Sequence, residues 1–261
     1  MAYAEDYTIP QLNSLVGDWA RTNAYADFLL SGVCVDKTVV DCGAGSGLCS
    51  YLALRGGAHR VIACDISPEI CDHLEDVFQN DYRVSVQQLD LCVDTIPVGD
   101  LYIHELVGNA LYGEGIRMIL SNMASQGITN IHPHYARVTN GYVNQGAPKP
   151  SDNMDYMLRN EVLDFLQYNE KYEWNNSFLY DHPEMEVFFA QDPDIDPWLY
   201  KFDLREVPPQ VVKETLHDGA VIWQVGFDSD FENYYTNVNP QNNNWNVRTP
   251  YSDFIKFCNL D

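Results

Sequence analysis

The chain has 261 residues, with 15 Lys and Arg against 38 Asp and Glu, giving a formal net charge of −23. That balance argues against partners such as nucleic acid and anionic membranes, because such binding needs Lys and Arg to displace counterions. A cationic small molecule, a basic peptide or a basic protein fits instead, and much of the acidity simply keeps the surface solvated. Hydrophobic residues at 46% and aromatics at 13% are enough for a globular core and place the chain outside the disordered class.

No apolar run reaches the roughly 18 residues of a membrane span, and the first ten residues, MAYAEDYTIP, lack the basic and apolar regions of a secretion signal. The expected location is therefore cytoplasmic. The cysteines, at 34, 42, 49, 64, 71, 92 and 258, form no Cys-x-x-Cys pair and are expected to be reduced, buried thiols.

In chain order, Lys37 to Asp41 predicts a short strand, and Leu48 to Leu54 a helix stopped by Gly56 and Gly57. Arg60 to Asp65 reads as a second strand. Ser67 then caps a helix with Pro68 at its first position, with Ile70, Leu74, Val77 and Phe78 as its apolar stripe. Val84 to Leu89 and Asp100 to His104 predict two further strands. Near-continuous apolar strands alternating with amphipathic helices indicate a doubly wound, parallel, Rossmann-like sheet. Past residue 131 Pro, Asn, Tyr and Asp become frequent. There Met185–Ala190, Leu199–Leu204 and Val221–Phe227 read as strands between turn signals. Asn153 to Tyr168 reads as a helix, with Met157, Val162, Phe165 and Leu166 on its apolar positions. The expected architecture is α/β: the Rossmann-like sheet in residues 1–132, then a β-barrel-like antiparallel domain with a helical insertion in residues 133–261.

Two constellations carry chemistry. Asp41-Cys-Gly43-Ala-Gly45-Ser-Gly47 sits where the first strand turns into its helix, where glycines allow the backbone to approach a ligand. Its G-x-G-x-G spacing, with Asp65 ending the next strand as a grip for ribose hydroxyls, fits a dinucleotide or S-adenosylmethionine. The second is His104-Glu105-Leu-Val-Gly108-Asn-Ala-Leu-Tyr112-Gly-Glu114, past a later strand and on the same rim. Two glutamates across an apolar hairpin suit a planar, fork-shaped cation such as guanidinium; an acid-pair general base or two unrelated surface glutamates are the alternatives. His132 and His134 lack a third ligand at metal-like spacing, so no metal is expected.

Taken together, these segments resemble the protein arginine methyltransferase family of class I S-adenosylmethionine-dependent enzymes. Asp18-Trp-Ala-Arg21-Thr22-Asn-Ala-Tyr25 fits its D-x-x-R-T-x-x-Y segment, whose arginine binds the methionyl carboxylate and whose tyrosine lies at the substrate pocket. Val40 to Gly47 fits its cofactor loop, with Asp41, Gly43, Gly45 and Gly47. Asp65 takes the place of its ribose-binding acid and Asp90 that of its adenine-contacting acid. Glu105 and Glu114 fit its catalytic glutamate pair, and Ile131-His-Pro133 resembles the segment entering its β-barrel. This collinear part runs over about residues 12 to 138. The resemblance departs where Asn243-Asn244-Trp245 stands for the family's Thr-His-Trp loop, placing Asn244 and Trp245 at the substrate pocket without the histidine. It departs again at Ile116, where members making asymmetric dimethylarginine usually carry Met. The segment preceding Asp18 is short, so the helix that closes over the cofactor is expected to be reduced or recruited differently.

The resemblance implies S-adenosylmethionine as cofactor and methyl transfer to a guanidinium nitrogen of arginine in a protein or peptide. It also implies a homodimer, for which the helix near Asn153–Tyr168 is a candidate arm, the alternative being that this helix simply covers the barrel. Two other readings stay open: a small-molecule acceptor (free arginine, another guanidine or an amine of a biosynthetic pathway), and a catalytically silent relative that binds a partner.

Overall fold

The run after Lys37 forms β1 (Thr38–Cys42), whose Val39, Val40 and Cys42 are completely buried in the computed structural model. The structure describes residues 8–16, 19–107, 115–145, 159–168, 185–189, 200–205 and 220–240. Four more strands join β1 in a parallel sheet: β2 (Arg60–Asp65), β3 (Val84–Gln88), β4 (Leu101–His104) and the two-residue β5 (Ile131–His132). Their order is β3-β2-β1-β4-β5, the expected doubly wound arrangement. The central strands are buried on both faces and therefore apolar almost throughout. β3 is an edge strand: Val84 and Val86 alternate with Ser85 and Gln87, and its last two residues are exposed.

Three helices make the crossovers. In α3 (Leu48–Arg55), Leu48, Cys49, Leu52, Ala53 and Leu54 are buried. The helix ends at Gly56, where a Cβ would lie 2.1 Å from the Leu29 carbonyl oxygen, so only glycine fits. In α4 (Pro68–Val77) the Ser67 hydroxyl accepts from the Ile70 N–H at 3.4 Å, and Ile70, Leu74 and Phe78 are buried as expected while Val77 is half-buried. In α5 (Ile116–Ser125), Ile116, Ile119, Leu120 and Met123 form one apolar stripe at helical spacing.

Two N-terminal helices, α1 (Ile9–Val16) and α2 (Trp19–Phe28), were not legible as helices. The reason is visible in α2: its buried residues are Thr22, Ala24, Tyr25 and Ala26, one polar and two small, so burial at helical spacing is not matched by an apolar stripe in the sequence. Asn233 donates through Nδ2 to the Ala24 carbonyl at 2.9 Å, and the Tyr25 ring stands edge-on to Phe227 at 4.9 Å, so α2 lies against both halves of the chain.

The second sheet is antiparallel. Its spine is β6 (Tyr135–Gln145), which pairs along Tyr135–Gly141 with β9 (Ala220–Gly226). On its other edge it takes β8 (Tyr200–Asp203) opposite Tyr135–Val138 and β7 (Met185–Phe189) opposite Gly141–Gln145. β10 (Tyr234–Pro240) adds to β9. The strands expected at 185, 199 and 221 are therefore present; β6 and β10 were not anticipated. Within the predicted helix Asn153–Tyr168, the described part is α6 (Asn160–Tyr168), and Asn153 to Leu158, Met157 included, lies outside the described residues.

α6 rests on helices of the first half. Val162 and Phe165 are 0% and 1% exposed. The Phe165 ring lies 5.4 Å from that of Tyr51 on α3, and Arg159 Nε pairs with Asp27 Oδ1 at 2.7 Å. Phe165→Ala should therefore cost about 3–5 kcal/mol of stability, the range for deleting a buried aromatic, measured by urea unfolding; a loss below about 1 kcal/mol would show that α6 is not docked there. Among the described residues no helix is long and apolar enough to cross a membrane. Cys34, Cys42, Cys49, Cys64 and Cys71 are buried free thiols and Cys92 is half-buried; burial pushes Cys64 up to about 12, which keeps it unreactive.

Candidate functional site

The register of the parallel sheet assembles the site. Cys42 pairs with Cys64 and with His104, so the glycine loop after β1, Asp65 at the end of β2 and Glu105 just past β4 share one rim. This is the point where the strand order reverses, and open α/β sheets bind ligands there.

The glycine loop is built from left-handed residues: Gly43, Gly45 and Gly47 have φ of +76°, +50° and +86°. A Cβ at Gly43 would lie 2.7 Å from Leu106 Cδ2, so a larger residue there would push the segment carrying Glu105. The N–H groups of Gly43 and Ala44 both donate to the Cys64 carbonyl at 2.9 Å, pinning the loop to β2. Asp65 completes the tie: Oδ2 accepts from Gly45 N–H at 3.1 Å and Oδ1 from Ser67 N–H at 3.0 Å. Burial raises its pKa despite these donors. A carboxylate oxygen has two lone pairs, so each retains acceptor capacity for a hydroxyl of a diol.

Asp41 is held differently. It is 1% exposed, and the Ser50 hydroxyl donates to Oδ2 at 2.7 Å, so the carboxyl supports the loop from beneath. Burial, with added repulsion from Glu105 and Asp65, pushes its pKa up to about 7 against the lowering effect of Ser50. Between the unfolded value of 3.8 and about 7, the folded chain binds a proton that the unfolded chain has released, so this group costs stability as pH rises. Asp41→Asn keeps an acceptor for Ser50 and removes the buried charge. It should leave the unfolding midpoint near that of the parent at pH 4 and raise it at pH 8, by about 2–4 °C per kcal/mol relieved; a lower midpoint at pH 8 would contradict the burial account.

Arg21, on α2, reaches the rim from the side. Its Nε lies 3.0 Å from Glu105 Oε1, with side chains only 14% and 28% exposed, and its Nη2 donates to the Leu15 carbonyl at 2.7 Å. Two residues expected in separate roles, Arg21 on the cofactor and Glu105 on the acceptor, 84 positions apart in sequence (105 − 21), thus form a partly buried ion pair. Tyr25 is 1% exposed and its hydroxyl donates to the His104 carbonyl at 2.7 Å, so any part it has in an acceptor pocket runs through that bond. Asp90 follows β3, where Leu89 N–H donates to the Asp65 carbonyl at 2.9 Å; its Oδ1 accepts from Cys92 N–H at 2.9 Å in a local turn. Glu114, Asn244 and Trp245 lie outside the described residues.

His104 was not singled out from sequence as a functional residue. It is fully buried with both ring nitrogens engaged, and the signal for it was a titratable residue ending an apolar strand. His132 and His134 pack ring to ring at 4.9 Å, and His132 also stacks near Phe28 at 4.7 Å. No cluster of three metal-ligating side chains occurs among the described residues.

No family model matches the chain. It is 30% identical over 112 residues to the arginine N(omega)-methyltransferase of Streptomyces achromogenes subsp. streptozoticus, a match over 40% of this chain and 31% of that protein. It is 31% identical over 121 residues to the ribosomal protein arginine N-methyltransferase rmt3 of Schizosaccharomyces pombe, over 44% of this chain and 22% of that one. The chain therefore matches about a third or less of the length of these curated relatives. In fold it is similar to a chain of the Trypanosoma brucei PRMT1 enzyme–prozyme heterotetrameric complex with AdoHcy, with a TM-score of 0.54 over 87% of this chain and 75% of that chain, at 16% identity.

Proposed function

We propose that this chain, which resembles arginine methyltransferases in sequence over part of its length and in fold, transfers a methyl group from S-adenosylmethionine to a guanidinium nitrogen of arginine. One observation carries the reading: Arg21 and Glu105 meet at 3.0 Å on the rim shared with the glycine loop and Asp65. This contact supports the reading, because a cation suited to a cofactor carboxylate then lies beside an anion suited to a cationic acceptor. The donor set fits the cofactor. Asp65 retains acceptor capacity on both oxygens for the ribose diol, Arg21 suits the methionyl carboxylate, Asp90 the adenine, and the loop Gly43–Gly47 allows close approach.

When bound, S-adenosylmethionine supplies an electrophilic methyl group on a sulfonium sulfur. The protein's task is to position the acceptor and manage its proton. Guanidinium is charged at every physiological pH and is a poor nucleophile. Glu105, with Glu114, would hold its N–H groups and draw the positive charge toward the nitrogens they bond. Electron density then remains on the nitrogen turned to the glycine loop, and a glutamate accepts the proton it sheds. The chain's charge of −23 adds a field that favours cationic acceptors.

We further infer that residues 133–261 form a barrel-like acceptor domain. What supports this is the break at His132–Pro133: β5 ends the parallel sheet at His132, and the antiparallel spine β6 begins at Tyr135. A homodimer is the assembly that the family resemblance implies, and a cytoplasmic location remains the reading of the sequence composition.

A second reading, free arginine or another small guanidine as acceptor, is supported by the similarity to the arginine N(omega)-methyltransferase of Streptomyces achromogenes, while the similarity to a ribosomal protein arginine N-methyltransferase supports the first. Comparing kcat/KM for an Arg/Gly-rich peptide with that for free arginine decides between them. The first reading expects the peptide to be preferred by at least about tenfold, or roughly 1.4 kcal/mol; preference for free arginine by that margin selects the second.

A further inference from the structure

His104 ends β4 and immediately precedes Glu105, in a segment that no regular element holds. Its hydrogen bonds fix its protonation state. The Leu106 N–H donates to Nδ1 at 3.3 Å, so Nδ1 must carry a lone pair. The Pro133 carbonyl oxygen, 2.7 Å from Nε2, can only accept, so Nε2 must carry the proton. One neutral tautomer satisfies both contacts; the other tautomer and the imidazolium each lose the Leu106 bond. Burial acts in the same direction and holds the ring's pKa down at about 4, with His132 and His134 adding to the effect and the Pro133 carbonyl opposing it.

The backbone around Glu105 is thereby clamped on both sides. The carbonyl of His104 accepts from Tyr25 on α2 at 2.7 Å, and the amide of Leu106 is held by the ring. The ring itself is anchored to Pro133, where the chain leaves the parallel sheet for β6. We propose that His104 is a positioning residue: as the neutral Nε2–H tautomer it sets the direction of the Glu105 carboxylate and couples it to the start of the antiparallel sheet. The catalytic half of this statement rests on the reading that Glu105 grips the acceptor.

Two amide substitutions separate the two ring contacts in the full-length chain. Asn at 104 presents an oxygen near the place of Nδ1 and can still accept from Leu106, whereas Gln reaches toward Pro133 and leaves the Leu106 N–H without its acceptor. His104→Asn keeps the Leu106 contact but gives up the Pro133 anchor, and should retain clearly more kcat than His104→Gln. His104→Gln should lose about 10- to 100-fold in kcat, the scale of a small misplacement of a catalytic group, with little change in KM or in S-adenosylhomocysteine affinity. Hydrogen exchange at the Leu106 amide should stay slow in the parent and in His104→Asn and become fast in His104→Gln. Nitrogen NMR of the parent should show His104 as the Nε2–H tautomer, not titrating from pH 5 to 8. An Nδ1–H tautomer, or Asn and Gln variants equal in kcat and amide exchange, overturns the proposal. A fully active His104→Gln beside an inactive Glu105→Gln overturns the proposal alone, whereas a fully active Glu105→Gln overturns the reading of Glu105 on which its catalytic half stands.

Discussion

Glu105→Gln should lower methyl transfer by about 10³-fold while S-adenosylhomocysteine binding survives. The substitution keeps size and shape, though it gives up the ion pair with Arg21, whose Nε lies 3.0 Å from Glu105 Oε1. What it removes is the negative charge facing a cationic acceptor and the group that takes the acceptor's proton. A charge-assisted hydrogen bond contributes about 1.5–3 kcal/mol, and a positioned proton acceptor typically contributes about 10²–10⁴ in rate. Glu105 is 28% exposed, so water screens part of the charge effect, and the lower part of the combined range is the reasonable expectation. Initial rates with methyl-labelled S-adenosylmethionine, together with calorimetric titration by S-adenosylhomocysteine, separate the two effects. A rate within a few-fold of the parent would remove Glu105 from the chemistry.

The second large effect is expected at Asp65, and it should fall on affinity. Asp65→Ala deletes the carboxylate that would grip the ribose hydroxyls, and with it the acceptor for Gly45 N–H at 3.1 Å and Ser67 N–H at 3.0 Å. The loss should reach about 10- to 100-fold in cofactor affinity, from one or two charge-assisted hydrogen bonds. Stability should also fall by about 1–3 kcal/mol, since two backbone donors lose their acceptor in a buried place. The signature is an increase in KM for the cofactor, with kcat at saturation changed much less. Unchanged affinity for S-adenosylhomocysteine would mean that Asp65 only braces the loop.

The parallel half of the fold was legible because its signals are local. Val39 and Val40 sit in an apolar run buried on both faces, and the Ser67-Pro68 pair writes a helix start that the structure contains. α2 was hidden because its buried positions include the polar Thr22 and the small Ala24 and Ala26, so the helical spacing of Thr22, Tyr25 and Ala26 carries little apolar contrast in the sequence. β6 was hidden by its own composition. Asn140-Gly141 is a hairpin-turn signal in isolation, yet in the structure it runs mid-strand, with Asn140 opposite Val221 and Gly141 between Ala220 and Phe189. Long-range pairing overrides the local preference there.

The site divides the same way. Gly43, Gly45, Gly47 and Asp65 could be placed from spacing, because a strand–turn–helix unit fixes where they must lie. The Arg21–Glu105 pair could not, since nothing local relates α2 to the end of β4. Asp41 shows the limit of motif reading. It belongs to the glycine segment, yet its carboxyl turns inward to Ser50, so its contribution to ligand binding passes through the loop it supports. His104 could not be assigned from sequence, because its part depends on where its two ring nitrogens find partners, one of them 29 positions away at Pro133.

The central claim is that the acceptor atom is a guanidino nitrogen. Tandem mass spectrometry of the product formed with methyl-labelled S-adenosylmethionine, from an Arg/Gly-rich peptide and from free arginine, tests it most directly. The account predicts label on the arginine guanidino group of at least one acceptor, lost in Glu105→Gln. Label confined to another atom, such as a simple amine, or label that persists in Glu105→Gln, would contradict it.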